Sequence, residues 1–132
     1  MVINFNIVPY NDKYFDESKK LNSEEGWHNL VEHKATFKNA LNQSNAYVAV
    51  DNESNVLGYI RTITDQFITL FICELLVKMS YRSDGLGRAL INKAHRQYPT
   101  NRIELLATKS SAAYYEKHKF RPFYGFRKSS AE

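Results

Sequence analysis

At 132 residues the chain fits one domain, 1–132, long enough to bury a core without disulfide or metal staples. The net charge of +4 is spread over scattered lysines and arginines with no run of five or six like charges, which suits an anionic small ligand and speaks against a nucleic-acid partner. The single cysteine, Cys73, excludes an internal disulfide and a cysteine-based zinc cluster, the histidines lack paired ligand spacing, and no apolar stretch nears the about 18 residues of a membrane span, so no metal, no membrane and a cytoplasmic location are expected.

Ile3, Phe5 and Ile7 alternate with Asn4 and Asn6, the period of a half-buried strand over residues 2 to 8, stopped by Pro9. From Asn11 the pattern turns polar and predicts a short helix, then a loop through Asn22-Ser23-Glu24-Glu25-Gly26. Leu30, Lys34, Phe37 and Leu41 keep helical spacing, so Leu30 to Leu41 reads as one helix, ended by Asn42-Gln43-Ser44-Asn45. Three strands follow: Ala46 to Val50, Val56 to Ile63 after the polar turn Asp51 to Asn55, and Phe67 to Val77 after the tight connection Thr64-Asp65-Gln66. Their short connections predict an antiparallel meander.

The next stretch carries the chemistry. Tyr81-Arg82-Ser83-Asp84-Gly85-Leu86-Gly87-Arg88 follows the apolar strand and opens a helix, roughly Gly85 to Gln97, whose Leu86, Ala89, Leu90 and Ala94 share a face. Glycines let a backbone approach an anion, and a helix start aims free N–H groups and partial positive charge at it. The backbone amides of Ser83 to Arg88, with Arg82 and Arg88 at the rim, therefore predict a phosphate site. A plain turn into a helix with exposed arginines has the same local sequence.

Arg102 to Ala107 is a strand reached by a parallel crossover. Ser110 or Ser111 can cap a short helix, Ala112 to Lys117, with Glu116 near its start, and Phe120 to Phe126 is a last strand interrupted by Pro122. The element order is β-α-α-β-β-β-α-β-α-β: an α/β domain with a mixed, mostly antiparallel central sheet flanked by helices.

This order resembles the GNAT superfamily of acetyl-coenzyme A-dependent N-acetyltransferases. Arg82-Ser83-Asp84-Gly85-Leu86-Gly87 fits the family's Q/R-x-x-G-x-G/A pyrophosphate loop, and Tyr114-Tyr115-Glu116-Lys117-His118-Lys119-Phe120 is similar to its Phe-Tyr-Glu-Lys-x-Gly-Phe segment. Two departures stand out. Asp84 puts a carboxylate in the phosphate loop, and Lys119 replaces the glycine that normally ends the short helix in a left-handed conformation, at a cost of about 1 kcal/mol if that conformation is kept.

The resemblance implies acetyl-CoA as co-substrate, held by Arg82, Ser83, Asp84, Gly85, Leu86, Gly87 and Arg88. Its pantetheine arm would pair with the splayed strand at Leu76, Val77 and Lys78. The thiolate would be protonated by Tyr115, with Tyr114 in a core position. Glu74, the one carboxylate inside an apolar strand, is a candidate base, and a salt bridge to Arg61 on the neighbouring strand is the structural alternative. By analogy the acceptor falls at the first two helices, where Glu25, Trp27 and His28 suit a cationic amine, and Glu24 stands beside them. Trp27 as a core anchor is the competing reading. Arg121 to Arg127 could edge the pocket or form a homodimer contact. The leading expectation is acetyl transfer to a small-molecule primary amine by direct attack in a ternary complex. A non-catalytic acetyl-CoA sensor, or an enzyme acting on a protein or peptide amine, are the alternatives.

Overall fold

A computed structural model describes residues 4–130, without the side chains of His28 and Asn29. Five strands form one sheet in sequential order: β1 (Asn6–Pro9), β2 (Asn45–Val50), β3 (Val56–Thr64), β4 (Thr69–Val77) and β5 (Arg102–Leu105). β1 to β4 pair antiparallel; β4 and β5 pair parallel through the crossover helix α4 (Leu86–Arg96). The expected mixed, mostly antiparallel sheet is therefore present. Its first strand was expected over residues 2 to 8, and residues 2 and 3 lie outside the described residues.

The two faces bury separate cores. On one, α1 (Phe15–Glu25) and α3 (Lys34–Asn42) set Phe15, Leu21, Phe37 and Leu41 against Val48, Tyr59 and Leu76. On the other, α4 sets Leu86, Leu90, Ile91 and Ala94 against Ala49, Leu57, Ile60, Leu70 and Ile72. Tyr59, fully buried, donates to Asn22 Oδ1 of α1 at 2.7 Å and satisfies a hydroxyl that burial would otherwise strand.

A bulge decides which side chains meet. Arg61 pairs with Glu74 but Thr62 pairs with Ile72, so Cys73 is an extra residue in β4. Strict alternation would put Leu70, Ile72, Glu74 and Leu76 on one face. The extra residue instead leaves Leu70 and Ile72 under α4 and turns Leu76 into the α1 and α3 core.

Several expectations need correction. The helix over Leu30 to Leu41 is two, α2 (His28–Glu32) and α3, because His33 (φ −107°, ψ 54°) leaves helical geometry; with neither Gly nor Pro there, the apolar spacing runs through the break unmarked. The loop foreseen from Asn22 is instead helical to Glu25, where left-handed Gly26 ends α1. The last helix, α5 (Lys109–Lys117), starts three residues early: Thr108 is its N-cap and forms a capping box with Ser111, leaving Glu116 in the final turn. No strand forms from Phe120 onward among the described residues, so the final β of the expected order is absent. Pro122 cannot donate to a ladder, and β5 offers only four residues as an edge. Phe123, Tyr124 and Phe126 are correspondingly exposed.

The hairpin without glycine is explained by Asp65. Its carboxylate accepts the N–H groups of Phe67, Ile68 and Thr69, and those bonds hold its pKa below the ordinary value, while Gln66 takes the left-handed turn (φ 75°). Lys119 keeps the left-handed conformation (φ 71°). Phe120 N–H bonds Tyr115 O at 3.0 Å and Lys119 N–H bonds Glu116 O at 3.1 Å, a Schellman closure of α5. Lys119→Gly is expected to raise stability by about 1 kcal/mol in a urea titration, because the strain is removed and the bonds are kept. An unchanged or lower midpoint would place no strain at Lys119.

Candidate active site

The site begins with an opening in the sheet. β5 covers β4 only from Thr69 to Ile72, so beyond the bulge β4 has a bare edge. Lys78 N–H donates to Leu57 O at 2.8 Å, which makes Gly58–Val77 a non-hydrogen-bonded pair. The N–H and C=O of Val77, and by alternation those of Leu75, therefore point toward the uncovered edge. An extended amide chain can pair there as an added strand. Of the three residues expected at this edge, Val77 is there. Leu76 pairs with Tyr59 and buries its side chain, and Lys78 gives its N–H to β3. Leu75 was missed; the bulge that sets its direction has no sequence signal.

The glycine turn lies directly after this edge. Ser83 (φ 79°) and Gly85 (φ 84°) are both left-handed around Asp84, and Gly85 is the N-cap of α4. Such a turn gathers successive N–H groups into an anion-binding concavity, and the start of α4 adds its own free donors and partial positive charge. Leu86 contributes only backbone, its side chain being buried under the sheet. Arg82, Ser83, Asp84, Gly85 and Arg88 are exposed, so the arginines and the Asp84 carboxylate all face solvent at the rim. Arg82 Nε donates to Val77 O at 3.0 Å, tying the loop to the bare edge.

α5 brings its tyrosines to the same place. A Cβ on Gly87 would stand 2.8 Å from the Tyr114 hydroxyl and 3.8 Å from Leu75 Cδ2, so a larger residue would press on the tyrosine tip. Tyr114 was expected in the core, yet it is the more exposed of the pair and packs tilted against His118, ring centroids 4.5 Å apart. Tyr115 is half-buried instead, packed edge-on against Tyr114 (5.2 Å) and Phe120 (5.5 Å) beside the α4 core. Burial, then the neighbouring Tyr114, push its pKa up to about 12. The motif register gives Tyr115 a fixed ring and a phenol that stays protonated.

On the opposite face, Glu74 is bound by Arg61: Nε to Oε1 at 2.6 Å and Nη2 to Oε2 at 2.5 Å, with Arg61 Nη1 also reaching Ser44 Oγ at 3.3 Å. The side chains are 18% and 12% exposed. Donating these hydrogen bonds to the Glu74 carboxylate raises the Arg61 pKa above its ordinary value. Both carboxylate oxygens are thus committed, which is the ion-pair alternative to a free base. Burial pushes the half-buried Cys73 thiol up, away from nucleophilic use.

A cavity of about 220 Å³ lies beside the bare edge, lined by Leu21, Glu24 and Glu25 of α1 and by Leu76, Val77, Lys78, Met79 and Arg82. The structure therefore brings Glu25 to the loop. Trp27 packs partly buried on the core instead, and the His28 side chain lies outside the described residues. A larger hollow of about 280 Å³ sits between α1 and α3, with no residue from β4 or the loop. Among the described residues no group of three or more His, Cys, Asp or Glu could hold a metal, and no helix is long and apolar enough to cross a membrane.

Residues 11–132 match the family model of the acetyltransferase (GNAT) domain. A GNAT-family acetyltransferase from Streptococcus pneumoniae superposes with a TM-score of 0.78 at 22% identity, covering 98% of this chain and 100% of that one. An acetyltransferase of Trypanosoma brucei gives 0.72 at 17% identity, covering 96% and 99%. The glucosamine N-acetyltransferase region of a fungal multi-domain β-N-acetylglucosaminidase gives 0.76 at 18% identity, covering 92% of this chain and 17% of that one. At these identities the structures show the shared fold. No curated protein matches the chain.

Proposed function

This chain belongs to the GNAT acetyltransferase family, and from that premise we propose that it transfers the acetyl group of acetyl-CoA to a primary amine of a small molecule. The observation that carries the reading is the meeting of two features at Val77: a bare strand edge and a phosphate-shaped loop tied to it by Arg82. Pantetheine needs the first and pyrophosphate the second. When bound, acetyl-CoA supplies an acyl thioester open to attack by an amine, with a thiolate as leaving group.

The protein's own groups then have distinct tasks. The N–H groups of Leu75 and Val77 hold the extended arm and can donate to a carbonyl oxygen beside them. The turn from Ser83 to Arg88 and the start of α4 hold the phosphates, with Arg82 and Arg88 outweighing Asp84. The ammonium loses one proton to solvent before it attacks; Tyr115 then gives the proton at its hydroxyl to the departing sulfur, and the phenolate takes back the proton that the acylated nitrogen releases. The Arg61–Glu74 pair supports reading Glu74 as a positioning group for β4 instead of the base. Glu24 and Glu25 attract a cationic amine, and the cavity of about 220 Å³ that they line has room for a small one.

Calorimetric titration tests the donor site. Arg82→Ala is expected to weaken acetyl-CoA binding about tenfold, the scale of one charge-assisted bond. Unchanged affinity would remove the Arg82 side chain from the site.

A further inference from the structure

The proposed donor site and the proposed acceptor site share one ion pair. Arg82 Nη2 donates to Glu25 Oε2 at 2.5 Å, across 57 positions of sequence, while Arg82 Nε holds Val77 O. We propose that this contact is a latch: Glu25 and the donor's phosphate compete for Arg82, and donor binding releases Glu25 to receive the amine. This rests on the acetyl-CoA reading above.

The chemistry of the competition is direct. A carboxylate and a phosphate offer the same pair of oxygens to a guanidinium, so Glu25 stands on Arg82 where a phosphate oxygen would. The contact is also easy to open. Arg82 is 42% and Glu25 30% exposed, in the range where solvent screens an ion pair and leaves it weak. Charge then couples the two ligands. The cavity wall carries two acids, Glu24 and Glu25, and two bases, Lys78 and Arg82. While Arg82 holds Glu25 these balance. Once Arg82 turns to phosphate, two carboxylates face one lysine, and the cavity attracts a cation. Linkage requires the converse: a bound amine draws Glu25 away and tightens the donor.

The test is titration of coenzyme A into the wild type, Glu25→Gln, Arg82→Met and the double variant. Glu25→Gln is expected to bind coenzyme A about threefold tighter, since a weak competing ion pair is removed. Arg82→Met should weaken binding, and adding Glu25→Gln to it should change nothing further. Glu25→Ala should repeat the tightening, which separates loss of charge from the chemistry of the amide. With acetyl-CoA saturating, both Glu25 variants should raise KM for the amine. Unchanged or weaker coenzyme A binding in Glu25→Gln, with Arg82→Met weakened as expected, overturns the latch and spares the donor site. If Arg82→Met binds as well as wild type, Arg82 holds no phosphate and the latch fails; if the wild type binds no coenzyme A, the donor-site reading fails and the latch with it.

Discussion

Tyr115→Phe is expected to lower kcat about a hundredfold, the usual scale of a lost general acid, while affinity for acetyl-CoA stays close to wild type. Phenylalanine keeps the ring between Tyr114 and Phe120 and removes only the hydroxyl. The pH behaviour follows from the raised pKa. The phenol is the proton donor, and with a pKa of about 12 it remains protonated throughout the neutral and mildly alkaline range. Its deprotonation therefore contributes no loss of rate below the ordinary phenol pKa of 10. The matched control is Tyr114→Phe, which changes the group over Gly87 without touching Tyr115. Wild-type kcat in Tyr115→Phe together with a collapsed kcat in Tyr114→Phe would move the acid one residue back.

Arg61→Met is expected to cost about 3 kcal/mol of stability, because it leaves Glu74 in a largely desolvated position without its partner. Exposure of the pair keeps the cost at the low end of that for buried ion pairs. Replacing both residues by methionine should cost less than Arg61→Met alone, since no unpaired charge is then left behind. Variants of the same pair test the part played by Glu74. If Glu74 positions β4, Glu74→Gln leaves the pH–rate profile unaltered. Loss of a limb of that profile in a folded Glu74→Gln variant would make it the base.

Much of this was legible in the residues because it is local. Gly85 before a helical stripe marked the turn and α4, and the position of Lys119 in the motif marked a left-handed residue, as its φ of 71° shows. Arg61 opposite Glu74 could be foreseen as soon as two strands were paired as a hairpin. What escaped was non-local or silent in composition. The extra residue at Cys73 changes no periodicity count, yet it decides that Leu75 and Val77 face the open edge. His33 breaks a helix without a breaker residue. The run after Phe120 has strand-like residues, but a strand needs a partner edge, and β5 ends at Leu105. Glu25 and Arg82 meet only because α1 runs past its foreseen end to reach the loop.

The most direct measurement is release of free thiol from acetyl-CoA across a panel of polyamines, amino acids, arylalkylamines and aminoglycosides. Acetyl transfer to a small amine predicts thiol release that depends on at least one amine, saturates with it, and matches acetylated product one to one. Tight binding of acetyl-CoA with no amine-dependent thiol release across the panel would contradict it.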